Sequence, residues 1–190
     1  MVRPDTTSCA DEMASVVVHL RAGGVIAYPT EGVWGLGGLP ANEEAVRRIL
    51  TLKDRPVEAG LILVAGEISQ VEPYLGQLTI KERERLVDHW PGPVTLLIPD
   101  TEIAPNWIRG QHESVAIRVS MHPTIQALCD AVGGPIVSTS ANPSGLEPAR
   151  TSSEAEAYFG SSVVYVEGQT AGMGKPSRII ELRTGREIRG

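Results

Sequence analysis

Hydrophobic and polar positions along the chain follow two different periods. Apolar residues at helical spacing, together with helix start and stop signals, predict helices over 9–22, 42–53, 79–90, 123–132 and 153–159. Short apolar runs bounded by turn residues predict strands over 25–29, 61–65, 94–99, 114–119, 135–140, 163–166 and 178–182. Several of these strands follow one another with no helix between them. We therefore predict one α/β domain over residues 1–190, with a mixed β-sheet flanked by helices.

Two of the helix starts are marked by their residues. Thr79 and Glu82 have the spacing of a capping box, in which each side chain accepts a hydrogen bond from the backbone of the other. Asn42 is a preferred N-cap residue for the second helix. Long segments without a predicted element remain at 30–41 and 140–151, where ligand-binding residues are to be sought first.

The composition is that of a folded protein with one domain. The chain has 190 residues, of which 42% are hydrophobic and 21% charged, enough to bury a sizeable core. The formal net charge of −6 argues against tight, nonspecific binding to nucleic acid, which normally needs a strongly basic face. A local basic site is compatible with this charge.

The cysteines and the hydropathy bear on metal binding and on location. Cys9 and Cys129 lie far apart and form no CxxC pair, which disfavours both a zinc site and a disulfide framework. Cys129 lies on an apolar helix face, where we expect a buried thiol. The sequence has no run of about 18 apolar residues, and its N-terminus lacks the apolar core of a signal peptide. We therefore expect no membrane span and a cytoplasmic protein.

The segment YPTEGVWGLGG (residues 28–38) leads from a strand through Pro29 into a glycine-rich stretch. Thr30 places a hydroxyl at the strand end, a usual ligand position in α/β sheets. The glycines either let the backbone approach a ligand closely or serve a turn that needs positive φ angles. Their spacing favours neither interpretation. The segment lacks the G-x-G-x-x-G pattern and does not support a dinucleotide-binding fold.

Two cations separated by one residue follow the second predicted helix. Lys53 ends this helix, and Pro56 restricts the backbone of Arg55 to an extended conformation. An ammonium and a guanidinium at this spacing could clamp a triphosphate. By themselves, however, cations at a helix C-terminus are more often exposed groups that only complement the helix dipole.

Small polar residues follow a buried strand in PIVSTSANPSG (residues 135–145). Their hydroxyl and amide groups can hold phosphate oxygens, a ribose or a magnesium ion. A serine-rich turn is the alternative. We favour a binding role, because polar groups directly at a strand end need partners.

Other candidate motifs do not point to chemistry. GQTAGMGK (residues 168–175) resembles a P-loop, but its glycine spacing is too long and Pro176 stands where Ser or Thr is required. The histidines show no metal-ligand spacing. Arg118 ends an apolar strand, where it could face a bound anion or belong to a structural ion pair.

Together these segments resemble the YrdC/TsaC family of threonylcarbamoyl-AMP synthases, in its short form. The resemblance is carried, in the family's order, by YPTEGVWGLG, KDRPVEAGLIL, WPGPVTLLIP, SVAIRV, STSANPSG and REIRG. It implies a single YrdC-like domain whose twisted mixed sheet surrounds a concave, positively lined cleft. It also implies an activity in which L-threonine, bicarbonate and ATP give threonylcarbamoyl-adenylate and pyrophosphate. The adenylate would then serve the threonylcarbamoyladenosine modification of tRNA next to the anticodon.

The resemblance also implies roles for single residues. The KxR pair, Lys53 and Arg55, would be catalytic. The residues that would bind ATP are Lys53, Arg55, Ser140, Asn142 and Arg189. The residues that would bind threonine are Thr30, Arg118, Ser138 and Ser177. For Arg118 there is a direct physical reason, because a guanidinium fork suits the carboxylate of the substrate. No side chain is predicted as a metal ligand, and Mg²⁺ would arrive with ATP.

The implied partners are ATP, L-threonine and bicarbonate. A transient hand-over to the tRNA threonylcarbamoyl-transferase complex of TsaD, TsaB and TsaE is also implied, with weak tRNA binding as an option. The sequence departs from longer relatives over 57–64, where VEAGLILV lacks their Asn-Pro and His, so contacts in this segment are not transferred. GKPSRI also departs from the family pattern around Ser177.

Two other function classes remain open at this stage. A noncatalytic RNA-binding module is one, although the aromatic content of 4% offers few stacking platforms. A carbamoyl-adenylate enzyme of the hydrogenase-maturation type is the other, although such enzymes are much larger and carry zinc motifs.

Overall fold

A computed structural model describes residues 9–99 and 103–189. The remaining positions, which include most of the N-terminal segment discussed above, lie outside the described residues. The α-helices are α1 Cys9–Arg21, α2 Glu43–Leu52, α3 Glu72–Leu75, α4 Ile80–Val87, α5 Asn106–Arg109, α6 Pro123–Val132 and α7 Ser152–Phe159. The strands are β1 Ile26–Pro29, β2 Trp34–Gly37, β3 Ile62–Ala65, β4 Val94–Pro99, β5 Ser114–Val119, β6 Ile136–Ser140, β7 Val164–Tyr165, β8 Arg178–Glu181 and β9 Glu187–Arg189. Short 3-10 helices lie at Val57–Ala59, Ile68–Val71 and Gly160–Ser162.

The nine described strands form one mixed sheet in the order β7-β1-β2-β6-β3-β5-β4-β8-β9. The pairs β1–β7, β3–β5 and β4–β8 are parallel, and the other neighbouring pairs are antiparallel. This confirms the predicted α/β class with a mixed sheet. Because β6 pairs with both β2 and β3, its C-terminal end lies near the middle of the sheet.

Successive side chains of a strand point to opposite faces of the sheet. In the central strands, side chains on both faces are buried, each face in its own core cluster. Ala27 and Val137 belong to the larger core cluster, whereas Ile26 and Ile136, one position earlier in the same strands, belong to the smaller one. Helices α1 and α6 complete the smaller cluster, with Leu20 and Leu128 fully buried. This two-sided burial explains why strands β1 and β3 read as continuous apolar runs.

The prediction that 30–41 carries no regular element is wrong. Strand β2 lies in this segment and pairs with β1 and β6. It escapes a pattern search because its sequence, WGLG, offers no alternation of apolar and polar residues. Its glycines are required by packing, since a Cβ at Gly37 would lie 2.6 Å from the carbonyl oxygen of Val137. The three-residue strand β9 and the four-residue helices α3 and α5 also went unpredicted.

The predicted caps are confirmed. Thr79 and Glu82 form a complete capping box, and the Asn42 side chain accepts a hydrogen bond from the backbone of Ala45. Helix α4 ends at Val87, earlier than predicted. The thiol of Cys129 is buried, and this burial raises its pKa to about 12. None of the described helices is long and apolar enough to cross a membrane.

Candidate functional site

A cleft with a volume of about 310 Å³ opens beside the C-terminal end of β6. Most of the predicted site residues line it: Thr30, Arg55, Arg118, Ser138, Ser140, Ser177 and Arg189. These residues come from distant parts of the chain, and the sheet order brings them together. Lys53 and Asn142 do not belong to this lining.

Lys53 lies next to the cleft and holds one of its walls. Its side chain is buried, with 3% of the residue exposed. The ammonium donates hydrogen bonds to the carbonyl oxygen of Ser140 and, at 2.7 Å, to that of Asn142. The carbonyl oxygen of Lys53 in turn accepts a 2.7 Å hydrogen bond from the backbone of Ser144. Lys53 is therefore not an exposed cation at a helix end, and a direct contact with ATP stays a prediction for it.

Burial lowers the pKa of Lys53 to about 8, with a smaller contribution from the nearby charge of Arg55. Loss of hydration disfavours the ammonium form, and the positive charge of Arg55 acts in the same direction. The two carbonyl oxygens partly compensate for the lost water.

Asp54 explains why Lys53 and Arg55 point to different places. It adopts a left-handed conformation with φ of 49°. The backbone N–H of Arg55 donates to the carbonyl oxygen of Leu50, and the backbone N–H of Asp54 donates to that of Thr51. These two hydrogen bonds define a Schellman motif. The chain reverses here, so that Lys53 turns towards the loop after β6 and Arg55 towards the cleft.

Arg55 is anchored by backbone carbonyl oxygens. Its Nε and Nη2 donate to Gly60 at 3.2 and 3.0 Å, and Nη2 also donates to Ala59 at 3.1 Å. Partial burial lowers its pKa. These bonds fix the plane of the guanidinium while one edge remains part of the cleft lining.

Asn142 supports the loop after β6 from within. Its side-chain amide donates to the carbonyl oxygens of Pro143 at 3.0 Å and Leu146 at 2.7 Å. Its Oδ1 is buried and has no hydrogen-bond partner among the described residues. Ser140 and Asn142, which were both predicted to bind ATP, are thus divided, because Ser140 lines the cleft and Asn142 does not.

Arg118 belongs to a structural ion pair and also lines the cleft, where contact with a bound anion stays a prediction. It lines the cleft although only 5% of it is exposed, and its Nη1 lies 3.4 Å from Oε2 of Glu31. Oε1 of Glu31 accepts a 2.6 Å hydrogen bond from Ser120. The sequence analysis missed Glu31. The available signal was an acidic residue directly after Thr30, where the chain leaves a buried strand.

Ser177 and Arg189 form the opposite wall. The hydroxyl of Ser177 is 2.8 Å from that of Thr95, and its carbonyl oxygen accepts from Nε and Nη2 of Arg189 at 3.3 and 2.9 Å. The pKa of Arg189 is lowered by burial, then by the charges of Arg55 and Arg118. Arg189 thus lies in the same cleft lining as two other cations, whose charges disfavour its own.

Residues 167–177, here called the strap, cross over the turn that follows β1. The backbone N–H groups of Ala171 and Met173 bond to the carbonyl oxygens of Thr30 and Glu31 at 3.2 and 3.0 Å. A Cβ at Gly32 would lie 1.8 Å from the carbonyl oxygen of Lys175.

The glycines of the 28–38 segment therefore allow the chain to approach itself. Gly32 admits the strap and Gly37 admits β6, whereas neither adopts a positive φ. The positive-φ interpretation is therefore wrong for these two glycines, and a close approach of the backbone to a ligand stays a prediction. The hydroxyl of Thr30 donates to the carbonyl oxygen of Val33 at 2.7 Å, so it meets a ligand in the cleft only as an acceptor.

Two further polar residues of the lining, Arg109 and His112, went unnoticed. They lie where α5 packs beside the 3-10 turn that Arg55 holds, with the Cβ position of Gly110 2.4 Å from the carbonyl oxygen of Glu58. No local pattern marks them, because α5 is a single turn without a cap signal. Their place in the cleft depends on packing between distant segments.

The described residues contain no cluster of three or more His, Cys, Asp or Glu side chains suited to a metal ion. The residues that line the cleft include hydroxyl groups but no carboxylate. This donor set does not fit a resident Mg²⁺ ion. It fits an ion that is held mainly by substrate phosphates and water, as Mg²⁺ often is.

The fold and the cleft define a class of α/β proteins with an arginine-lined cleft at the middle of a mixed sheet. The profile of the Sua5/YciO/YrdC family, described as "Telomere recombination", matches residues 18–189. The chain belongs to this family.

Relatives in sequence and in structure agree with this assignment. The threonylcarbamoyl-AMP synthase of Cellvibrio japonicus is 51% identical over 171 residues, which cover 90% of each chain. The structure of P. abyssi Sua5 complexed with L-threonine superposes with a TM-score of 0.83 at 31% identity, covering 95% of this chain and 53% of that one. E. coli YciO gives a TM-score of 0.84 at 25% identity, with 98% and 91% covered.

Proposed function

We propose that this protein is a threonylcarbamoyl-AMP synthase, a nucleotidyltransferase that converts L-threonine, bicarbonate and ATP into threonylcarbamoyl-adenylate and pyrophosphate. The observation that carries the proposal is the closeness of Arg55, Arg118 and Arg189 in one cleft, where the charges of the other two help to lower the pKa of Arg189. Mutual repulsion of this kind is relieved when anionic groups bind between the cations. The names of the relatives favour this enzyme over a noncatalytic RNA-binding module.

In the proposed reaction, the nitrogen of the neutral threonine amine first bonds to the carbon of bicarbonate, and a water molecule leaves to give N-carboxy-threonine. An oxygen of its new carboxylate then attacks the α-phosphorus of ATP, the bond from this phosphorus to the bridging oxygen breaks, and pyrophosphate leaves. No covalent enzyme intermediate is needed. The protein contributes position and charge, which are the main terms in this type of transfer.

The residues of the cleft divide these tasks. Arg118 binds the threonine carboxylate, with the hydroxyl groups of Ser138 and Ser177 close by. Arg55 and Arg189 stabilise the charge that develops on pyrophosphate. Lys53 acts on the same phosphates indirectly, by holding the loop that presents Ser140. A magnesium ion bound to ATP would neutralise part of the triphosphate charge, and hydroxyl groups of the lining, such as those of Ser138 and Ser140, would be available to the ion or to its water ligands.

The product has a reactive acyl-phosphate bond and calls for rapid transfer. We propose that a tRNA threonylcarbamoyl-transferase complex takes it up, and that both proteins work in the cytoplasm, where ATP and tRNA are supplied. The net charge of −6 argues against tight, nonspecific binding of tRNA to this chain.

The proposal is tested by measuring pyrophosphate release with threonine, bicarbonate and ATP omitted in turn. We expect release only with the complete mixture. Arg55→Ala should lose about 100-fold in rate, because one charge-assisted contact to the transition state is worth roughly 2–4 kcal/mol. Arg47→Ala is the matched control, since Arg47 is exposed on α2 and pairs only with Glu43. Release without threonine, or full activity in Arg55→Ala, would exclude the proposed reaction.

A further inference from the structure

The positive charges of the cleft are not compensated evenly. Of Arg55, Arg118 and Arg189, Arg118 alone has a carboxylate partner among the residues that the structure describes, namely Glu31 at 3.4 Å. Arg55 and Arg189 donate instead to backbone carbonyl oxygens, which carry no net charge. The charge of Arg118 is therefore largely compensated, whereas Arg55 and Arg189 have no acidic partner among the described residues.

Glu31 is built firmly into its place. It is 8% exposed, its Oε1 accepts from Ser120, and its backbone carbonyl oxygen accepts from Met173. The hydroxyl of Ser120 also accepts a 3.0 Å hydrogen bond from the backbone of His122, which fixes its direction towards Glu31. Glu31 does not line the cleft, so a ligand bound there contacts Arg118 and not Glu31 itself.

The pair of Glu31 and Arg118 matters because the two proposed substrates differ in charge. An amino acid is a zwitterion with no net charge, whereas a triphosphate carries several negative charges. A compensated guanidinium can still offer a directed fork to a carboxylate, but its long-range attraction for a polyanion is largely cancelled by Glu31. An uncompensated pair of guanidinium groups attracts the polyanion strongly.

We propose that Glu31 is a specificity-determining residue that acts through Arg118. It reserves the Arg118 side of the cleft for the carboxylate of an amino acid and directs phosphate groups to Arg55 and Arg189. The inference rests on the proposed function, because it assumes that an amino acid and a triphosphate share this cleft.

The test measures binding of inorganic pyrophosphate by calorimetry and requires no turnover. Glu31→Gln keeps the size of the side chain and its acceptor for Ser120, but removes the charge. We expect pyrophosphate to bind about tenfold more tightly to this variant, because Arg118 then attracts it without compensation. We also expect L-threonine to compete with pyrophosphate in Glu31→Gln but not in the wild type.

Two further variants keep the result unambiguous. Glu31→Gln combined with Arg118→Gln replaces the buried pair by two amides, and its pyrophosphate affinity should lie within about threefold of the wild type. Arg189→Gln removes an uncompensated charge and should weaken binding about tenfold. If Glu31→Gln melts far below the wild type, the double variant decides the question alone.

Two results would overturn the inference. One is an unchanged pyrophosphate affinity in a folded Glu31→Gln variant. The other is a double variant that binds pyrophosphate as weakly as Arg189→Gln, which would mean that Arg118 holds phosphate in the wild type. Failure of the proposed function would instead be seen as absent pyrophosphate release in the wild type, which the binding titration does not measure.

Discussion

The two walls of the cleft are held in different ways. One wall is formed by the segment at and after the end of β6, a strand inside the sheet. The buried ammonium of Lys53 donates hydrogen bonds to two carbonyl oxygens of this wall. The opposite wall is formed by the end of the strap, whose residues are largely exposed. The backbone of the strap donates hydrogen bonds to the turn after β1 from Ala171 and Met173. Both walls supply hydroxyl groups to the same cleft, Ser140 from one and Ser177 from the other.

The difference indicates which wall moves when ligands enter. Segments with few buried contacts and exposed backbone hydrogen bonds open at a lower free energy than segments fixed within a sheet. We therefore expect the strap to open for threonine and ATP, while the wall after β6 keeps a constant shape. A fixed wall suits a reaction that depends on the position of its reactants.

We expect Lys53→Met to have the largest effect on activity. It removes the buried ammonium that holds the wall after β6 and so distinguishes this wall from the opposite one. Methionine fills a similar volume without a charge, but leaves the carbonyl oxygens of Ser140 and Asn142 without their donor. Hydrogen bonds to a charged group contribute about 1.5–3 kcal/mol each, so we expect pyrophosphate release to fall about 100-fold or more. The amide of Ser144 should exchange with solvent much faster, as measured by hydrogen exchange with mass spectrometry.

Lys81→Met is the control for this variant, because Lys81 is exposed on α4 and is not among the residues that line the cleft. Slow exchange at Ser144 in Lys53→Met, together with a large loss of activity, would contradict the supporting role. That combination would mean that Lys53 acts by contacting the phosphates themselves.

Gly32→Ala should disturb the strap. The added Cβ would lie 1.8 Å from the carbonyl oxygen of Lys175, so the strap has to move away. Such overpacking costs about 1–3 kcal/mol, and we expect the free energy of unfolding to fall by this amount. The KM for threonine should rise more than the KM for ATP, because Ser177 is the last residue of the strap.

Gly76→Ala is the matched control for Gly32→Ala. Gly76 is helical, with φ of −58°, and the nearest atom to its Cβ position is 3.9 Å away. Alanine fits there without strain. Equal stability of the two variants in urea unfolding would show that the strap does not depend on the close approach at Gly32.

Asp54→Gly should have the smallest effect, and it should raise the free energy of unfolding, whereas Gly32→Ala lowers it. A left-handed conformation costs a residue with a Cβ about 1–2 kcal/mol, and glycine is free of this cost. Allowing for the greater freedom of glycine in the unfolded chain, we expect stability to rise by about 0.5–1 kcal/mol. Thermal and urea unfolding measure this change. Asp54→Ala, which retains the Cβ, should show no gain, and a gain of equal size in both variants would exclude backbone strain as the cause.

Local patterns were sufficient for elements that are long or buried on a regular face. The capping box at Thr79 and the buried thiol at Cys129 follow from side chains within a few positions of each other. Strand β2 could not be predicted in the same way. Its glycines are selected by contacts with Val137 and Tyr28, and a contact with a residue 100 positions away leaves no local pattern.

The candidate site shows the same division. The sequence alone determined which residue types are available, namely cations at Lys53, Arg55 and Arg118 and small polar groups after β6. Only the tertiary structure decided what each of them does. The chain reversal at Asp54 places Lys53 against the loop after β6 and Arg55 in the cleft lining. Packing beneath the strap places Glu31 against Arg118. The physical reason is that charge acts through space, so the role of a cation depends on its neighbours in the fold more than on its neighbours in the chain.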